Sequence, residues 1–264
     1  MRVALKIAYD GSAFFGHQRQ PDRRTVEGEC LAALRAGKIM RDPRESFFRS
    51  ASRTDRGVSA IGNVIAFDGS LEPEAALGAF NDKSRDVWAW AFAAVPDSFH
   101  PRHALERWYR YLLLDDVPVD PLREAARLFV GAHDFQSFCS EPVSGPMTIE
   151  SIGVTRADEA TFIDVRARSF RRGMVRRIVA AMLAAIRGEA TVNEIQDALA
   201  GGRHDFGSVN PEPLVLMDVR YEFPFTILKK PKVAEDLHRR VIDLSLRLRV
   251  TQLVQQAMGA TSGS

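Results

Sequence analysis

Two hydrophobic rhythms alternate along this chain, one of period two and one near four, and they run through the same order twice. Residues 2–9 form a mostly apolar run that predicts a first strand. Thr25 is placed to cap a helix that sets Val26, Cys30, Leu31 and Leu34 on one face. Residues 46–52 and 62–68 read as strands, the second almost continuously apolar. Pro73 suits the first turn of a helix running to about Phe80. A strand over 86–95 follows, with Val87, Ala89, Ala91 and Ala93 alternating with Trp88, Trp90 and Phe92.

The second half repeats this order. Residues 108–114 alternate as an aromatic-rich strand, and Asp120 caps, Pro121 begins and Gly131 stops a helix. Residues 149–156 predict another strand. Residues 161–168 set Ile163, Val165 and Ala167 against Asp164, Arg166 and Arg168. A long helix from Phe170 then carries Phe170, Met174, Ile178, Met182 and Ile186 at a spacing of four. A short extra helix opens on a capping box from Thr191 to Glu194 and ends at Gly201-Gly202, and 214–221 closes as a strand.

Each half thus reads as a split β-α-β unit. The sequence predicts an α+β fold of two ferredoxin-like halves, residues 1–104 and 105–225, joined through one extended mixed sheet. Joining the sheets edge to edge removes two exposed edges and leaves a cleft between the halves. Residues 226–264 predict a helical tail, with Val233, Leu237, Val241, Leu244 and Leu248 on one stripe and a small, polar, disordered end over 259–264.

Composition narrows the class. The chain has 264 residues, 45% hydrophobic and 27% charged, as ordinary globular proteins do. No apolar run approaches the ~20 residues that span a membrane, and residues 1–7 lack the apolar core of a signal peptide. Two unclustered cysteines, Cys30 and Cys139, suit a reducing compartment, so the expectation is a cytoplasmic protein without a membrane partner. The net charge of +2 says little, but its distribution says more. Residues 165–180 contain Arg166, Arg168, Arg171, Arg172, Arg176 and Arg177 and no acid, a local basic patch suited to planar contact with phosphate. A solvated face of paired charges is the ordinary alternative.

The candidate chemistry lies at Ala51-Ser52-Arg53-Thr54-Asp55-Arg56-Gly57-Val58, a polar turn between two apolar segments. Nearby cations favour the ionised form of Asp55. An ordinary turn, with Asp55 bonding its own backbone and Gly57 at positive φ, is the plain alternative. No metal site is convincing: His100 and His103 lack a third ligand at suitable spacing. No phosphate-loop spacing occurs near Asp10-Gly11-Ser12 either.

The turn resembles the catalytic motif of tRNA pseudouridine synthases of the TruA family, usually Gly-Arg-Thr-Asp-Ala-Gly-Val. Three further blocks match in the family's order. These are Tyr9-Asp10-Gly11-Ser12-Ala13-Phe14-Phe15-Gly16-His17-Gln18-Arg19-Gln20, then Phe99-His100-Pro101-Arg102 with Arg107-Trp108-Tyr109-Arg110-Tyr111, and lastly the run from Phe170 to Val179. The likeness covers roughly residues 1–222. It departs at Ser52 for the usual Gly, Arg56 for Ala, and His17 for an aromatic that is commonly Trp.

The resemblance implies conversion of uridine to pseudouridine in the anticodon stem-loop of tRNA, on the 3′ side of the anticodon, without a cofactor or metal. It implies two similar halves sharing a sheet and a homodimer binding one tRNA. It assigns catalysis to Asp55, pairing with Asp55 to Arg176, stacking on the target uracil to Tyr109, and entry into the vacated space to Arg53. The arginine run suggests that Arg166, Arg168 and Arg172 face the tRNA backbone. Whether the carboxylate attacks C1′, adds to C6 or removes the C2′ proton stays open. A noncatalytic RNA-binding protein on the same fold is the competing class, and a base-exchanging transglycosylase is a third.

Overall fold

The computed structural model describes residues 1–142, 145–228 and 231–259, the side chain of Lys232 apart. Met1–Thr226 forms one unit, built of two halves. The first contains β1 (Arg2–Tyr9), α1 (Val26–Ala36), β2 (Arg49–Ser50), β3 (Ser59–Asp68), α2 (Pro73–Lys83) and β4 (Val87–Ala94). Its strands lie in the order β4-β1-β3-β2, each antiparallel to its neighbour. The second contains β5 (Glu106–Leu113), α3 (Val119–Arg127), β8 (Ser151–Ala157), β9 (Ala160–Ala167), α4 (Met174–Ile186) and β10 (Leu214–Arg220). Its order is β10-β5-β9-β8, again antiparallel throughout. Both orders are those of a split β-α-β pair, so each half is ferredoxin-like. Between α3 and β8 the second half adds a small sheet of β6 (Gly131–His133) and β7 (Met147–Ile149), and before β10 it adds α5 (Val192–Leu199).

One short parallel contact makes a single mixed sheet of the two. β10 meets β3 at Val215–Ser59 and Leu216–Ala60. At the next step Gly62 lies against β10 so closely that a Cβ there would come within 2.6 Å of the Met217 carbonyl oxygen. Lys6 of β1 reaches across to Asp218 of β10, adding an ion pair over the joint. Each half keeps its own core. Leu5, Ile7, Ile65, Phe67, Leu77 and Phe80 are fully buried in the first, and Phe129, Phe135, Phe138, Ile163, Val165 and Ile178 in the second. Burial contributes roughly 1.5–3 kcal/mol for each such side chain.

Local signals explain most element boundaries. Thr25 accepts from the Gly28 N–H at 3.2 Å and starts α1. Thr191 and Glu194 form the expected capping box of α5. Three boundaries depart from expectation. β2 is only Arg49–Ser50, because Phe47 takes a left-handed turn (φ 44°) on one side and the Asn63 side chain takes over the pairing at Ser52 on the other. α4 begins at Met174, not Phe170: Gly173 at φ 73° ends a turn, and Phe170 packs edge-on against Tyr109 instead. α3 begins at Val119, with Asp120 inside its first turn bonded to Arg123 rather than capping.

The second unit, described by itself, contains the helix α6 (Pro231–Gly259), which carries the expected stripe of Val233, Leu237, Val241, Leu244 and Leu248. Of the disordered end expected over 259–264, Gly259 closes α6 and 260–264 lie outside the described residues.

The tight approach at Gly62 predicts that Gly62→Ala destabilises the protein by about 1–3 kcal/mol, since a backbone oxygen must shift to admit a methyl group. Urea unfolding measures this. A midpoint equal to wild type would show that the joint has slack.

Candidate active site at the joint of the two halves

Where β2 leaves β3, a side chain takes over the pairing. Fully buried Asn63 accepts from the Ser52 N–H at 3.2 Å and donates to the Ser52 carbonyl at 3.0 Å, so its amide stands in for a strand neighbour. The turn that follows is fastened from the N-terminal loop. Thr54 Oγ1 hydrogen-bonds with the buried Tyr9 hydroxyl at 2.9 Å, and the His17 N–H donates to the Thr54 carbonyl at 3.0 Å. Gly11 touches the backbone of Gly57 and Val58, where any Cβ would overlap at 2.4 Å. Gly57 itself turns the chain at φ 87°.

Asp55 is held at the crest of this turn. Its Oδ2 lies 3.4 Å from Arg176 Nη1 and its Oδ1 3.5 Å from Arg172 Nε. Arg176 is fixed by a second bond, from Nε to the Val209 carbonyl at 2.8 Å. Among the described residues no N–H of Asp55's own turn donates to the carboxylate, so the geometry is not that of a self-bonded turn. The side chain keeps 28% of its exposure, open enough for a substrate to reach. Arg172 sits on the turn before α4 and Arg176 in its first turn, so the second half supplies both cations to a carboxylate of the first.

Tyr109 of β5 faces the same place. It is buried, with its ring edge-on to Phe170 at 5.1 Å and its phenol close to the Ser52 side chain. Burial pushes its phenol up to about 12; Arg107 and Ser52 draw it down, and the charge of Asp55 adds to the rise. The phenol is therefore protonated at neutral pH.

Arg53 lies on the same turn, exposed and without a carboxylate partner among the described residues. Arg168 is also exposed, just beyond β9. Arg166 is not brought to the site. It lies on the opposite face of β9 from Val165, which pairs with Tyr109, and it is bound to Glu106 at 2.9 Å over the ring of Trp108. Its charge is neutralised there. Among the described residues no group of three or more His, Cys, Asp or Glu is placed to hold a metal ion, and His100 and His103 stack on each other. No helix among them is long and apolar enough to cross a membrane.

The residue sequence reasoning missed is Arg107. It is 7% exposed and has no carboxylate partner among the described residues. It donates from Nε to Ser52 Oγ at 3.0 Å, from Nη2 to the Ala51 and Arg102 carbonyls at 3.0 and 2.9 Å, and from Nη1 to the Arg168 carbonyl. A strand of the second half thereby grips the turn of the first. The signal was present: Arg107 shares the inward phase of Tyr109, Tyr111 and Leu113, where a cation needs a structural reason. His17, also on the turn's buried side, is 2% exposed, and neither ring nitrogen has a hydrogen-bond partner among the described residues.

Two ferredoxin-like halves fused through one sheet, with a carboxylate of one facing arginines of the other, define a two-lobed α+β protein with a charged site at its joint. A family profile described as tRNA pseudouridine synthase matches residues 125–222. Curated relatives called tRNA pseudouridine synthase A align along nearly the whole chain. The protein from Pyrococcus abyssi is 41% identical over 96% of this chain and 100% of its own length. That from Thermococcus kodakarensis is 42% identical over 84% and 85%, and that from Methanococcoides burtonii 39% identical over 95% and 94%. The chain belongs to the tRNA pseudouridine synthase A family.

Arg107→Lys is expected to lower stability by roughly 2–3 kcal/mol, since one ammonium cannot satisfy four spread acceptors. Amide hydrogen exchange should quicken in residues 51–58 well before it does in β1. Uniform quickening would mean that Arg107 supports the whole fold rather than this turn.

Burial lowers the His17 pKa to about 4, with the Arg53 charge adding to the effect. Unfolded histidine titrates near 6.5, so between these values the unfolded chain takes up a proton that the folded one refuses. The stability tied to His17 is complete above about pH 6.5 and lost progressively down to about pH 4, on the order of 3 kcal/mol in all. His17→Phe should flatten that part of the stability–pH curve, measured as urea midpoints from neutral to acid pH. Identical slopes in both proteins would rule His17 out as their source.

Proposed function

We propose that this protein isomerises uridine to pseudouridine in tRNA and that Asp55 is the catalytic carboxylate. The observation that carries the reading is the placement of Asp55. It is partly exposed, free of its own backbone, and faced by Arg172 and Arg176 across the joint. The family and its relatives' names support tRNA as the substrate. The reaction breaks the N1–C1′ bond and forms C5–C1′; the base loses a proton at C5 and gains one at N1, so no redox or group carrier is required. A carboxylate serves by capturing C1′ or by stabilising the charge that develops there, as in retaining glycoside chemistry, or by adding to C6 or removing the C2′ proton.

Arg176 acts on this reading as the fixed partner of Asp55, and Arg172, 69% exposed, as a cation shared between Asp55 and the RNA backbone. Arg53 suits entry into the space left by a uridine turned out of its stack, and Arg168 a phosphate contact. Tyr109 offers its ring to the uracil. Its resting phenol is protonated, so it must give up that proton before it can accept one from C5. The neutralised, opposite-facing Arg166 has no such support. The target uridines on the 3′ side of the anticodon, the homodimer and the cytoplasmic setting are parts of the proposal that rest on the family likeness.

Asp55→Asn keeps the shape of the side chain and removes its charge. It should bind unmodified tRNA near normally and yield no pseudouridine when the digested nucleosides are separated by chromatography. Turnover within about tenfold of wild type, a barrier change of only ~1.4 kcal/mol, would end the assignment. A wild-type protein that binds tRNA and leaves every uridine unchanged would favour the noncatalytic RNA-binding alternative.

A further inference from the structure

Aromatic rings of this protein carry six cations among the described residues, and four of them are neutralised by carboxylates. Lys6, over Trp90 and Phe225, is paired with Asp218. Arg24, over Phe14, is paired with Glu29 and Asp86. Arg110, over Trp108 and Phe162, is paired with Asp164, and Arg166, over Trp108, with Glu106. Phe15 is different. Two guanidiniums lie over its ring, Arg23 at 4.6 Å and Arg56 at 4.5 Å, and neither has a carboxylate within ion-pair distance among the described residues. All three side chains are exposed, the Phe15 ring to 38%.

The arrangement is built rather than incidental. The Phe15 N–H donates to the Arg24 carbonyl at 2.8 Å, and its own carbonyl accepts from Gln20 Nε2 at 3.0 Å. Gly16 follows at φ 97°, a conformation open to glycine, and sits against the Arg56 backbone, while His17 is bonded to Thr54. The backbone beneath the exposed ring is thus tied to the turn that carries Asp55. Two like charges gathered on one ring repel, and among the described residues no carboxylate lies within ion-pair distance to neutralise them. An anion between or beside them would. Arg56 is also the immediate neighbour of Asp55, so the anion would lie next to whatever Asp55 touches.

We propose that Phe15, Arg23 and Arg56 form a binding site for an RNA phosphodiester, taken up with a nucleotide flanking the one presented to Asp55. This rests on the function proposed above. The guanidiniums supply planar donors to the phosphate oxygens, and the ring offers an apolar face to the adjoining ribose or unstacked base. The site is a property of this chain's own residues, since Arg56 stands where the family motif commonly has alanine. A flanking contact of this kind would hold the strand while its neighbour turns out of the stack.

The test uses the full chain and fluorescently labelled unmodified tRNA, with binding followed by anisotropy across a salt series. Arg23→Ala and Arg56→Ala should each lower the slope of log K against log salt by about 0.7–0.9, and the double variant by about twice that. Phe15→Leu keeps the bulk and removes the ring. It should weaken binding severalfold with the slope nearly retained, since no charge is lost. Because these positions are exposed, thermal midpoints report whether a variant has merely misfolded. A double variant with wild-type affinity and slope overturns the proposal, as does equal weakening toward heparin and tRNA, which would indicate a general polyanion patch. Failure of the underlying function reads differently. Wild type that binds tRNA without making pseudouridine counts against the catalytic reading alone, and active wild type matched by the double variant in binding counts against this site alone.

Discussion

A single buried guanidinium fixes how the two halves of this protein meet at their charged site. Arg107 belongs to β5, yet two of its four acceptors, Ser52 Oγ and the Ala51 carbonyl, lie on the turn of the other half. The remaining two are the carbonyl of Arg102, in the connection that leads into β5, and that of Arg168, just beyond β9. A cation buried without a carboxylate is costly, and polar acceptors on several sides offset that cost only while the halves keep one relative position. The price is conformational freedom at the joint. In return, Asp55, Arg176 and Tyr109 keep a common geometry although they come from three elements.

The sheet explains why the site stands at this place and no other. Both β2 and β10 pair with the same edge of β3, β2 at Ile65 and Ala66, β10 at Ser59 and Ala60. Between them the chain must leave the sheet, and it leaves as the turn with Asp55. An ordinary loop at a sheet's end would be mobile. This one is pinned by Asn63 from the edge it vacated, by Tyr9 at the end of β1, by Gly11 and His17 of the loop that follows, and by Arg107 from the far half. Its buried side is rigid and its carboxylate faces outward.

Much of this was legible in the sequence. Element order and the alternation of β4, β5 and β9 gave both ferredoxin-like halves, because inward and outward residues of a half-buried strand differ sharply. Local caps such as Thr25 and the Thr191–Glu194 box needed no tertiary knowledge. What escaped depended on partners distant in the chain. β2 looked like a full strand from Ser46 because nothing local tells that Phe47 will turn left-handed or that the Asn63 side chain will replace a strand neighbour at Ser52. Phe170 fitted the spacing of α4, yet a positive φ at Gly173 and the ring of Tyr109 drew it out of the helix. Arg107, in plain view within a family block, revealed its bonds only once four separate segments were brought together.

Charge shows the same limit from the other side. The run from Arg166 to Arg177 reads as one basic patch, but the fold divides it by function. Arg166 is turned to the opposite face and bound to Glu106, Arg177 is bound to Asp205, and Arg172 and Arg176 turn toward Asp55. Meanwhile Arg23, Arg53 and Arg56, which no run of sequence groups together, stand exposed around the same turn without carboxylate partners among the described residues. The effective positive surface is therefore not the densest stretch of arginine but the set left unneutralised after folding. Buried or paired charge cancels within a few ångströms, whereas unpaired charge projects over roughly a Debye length. A protein of net charge +2 can thus present a concentrated field to a polyanion at one joint while remaining nearly neutral elsewhere.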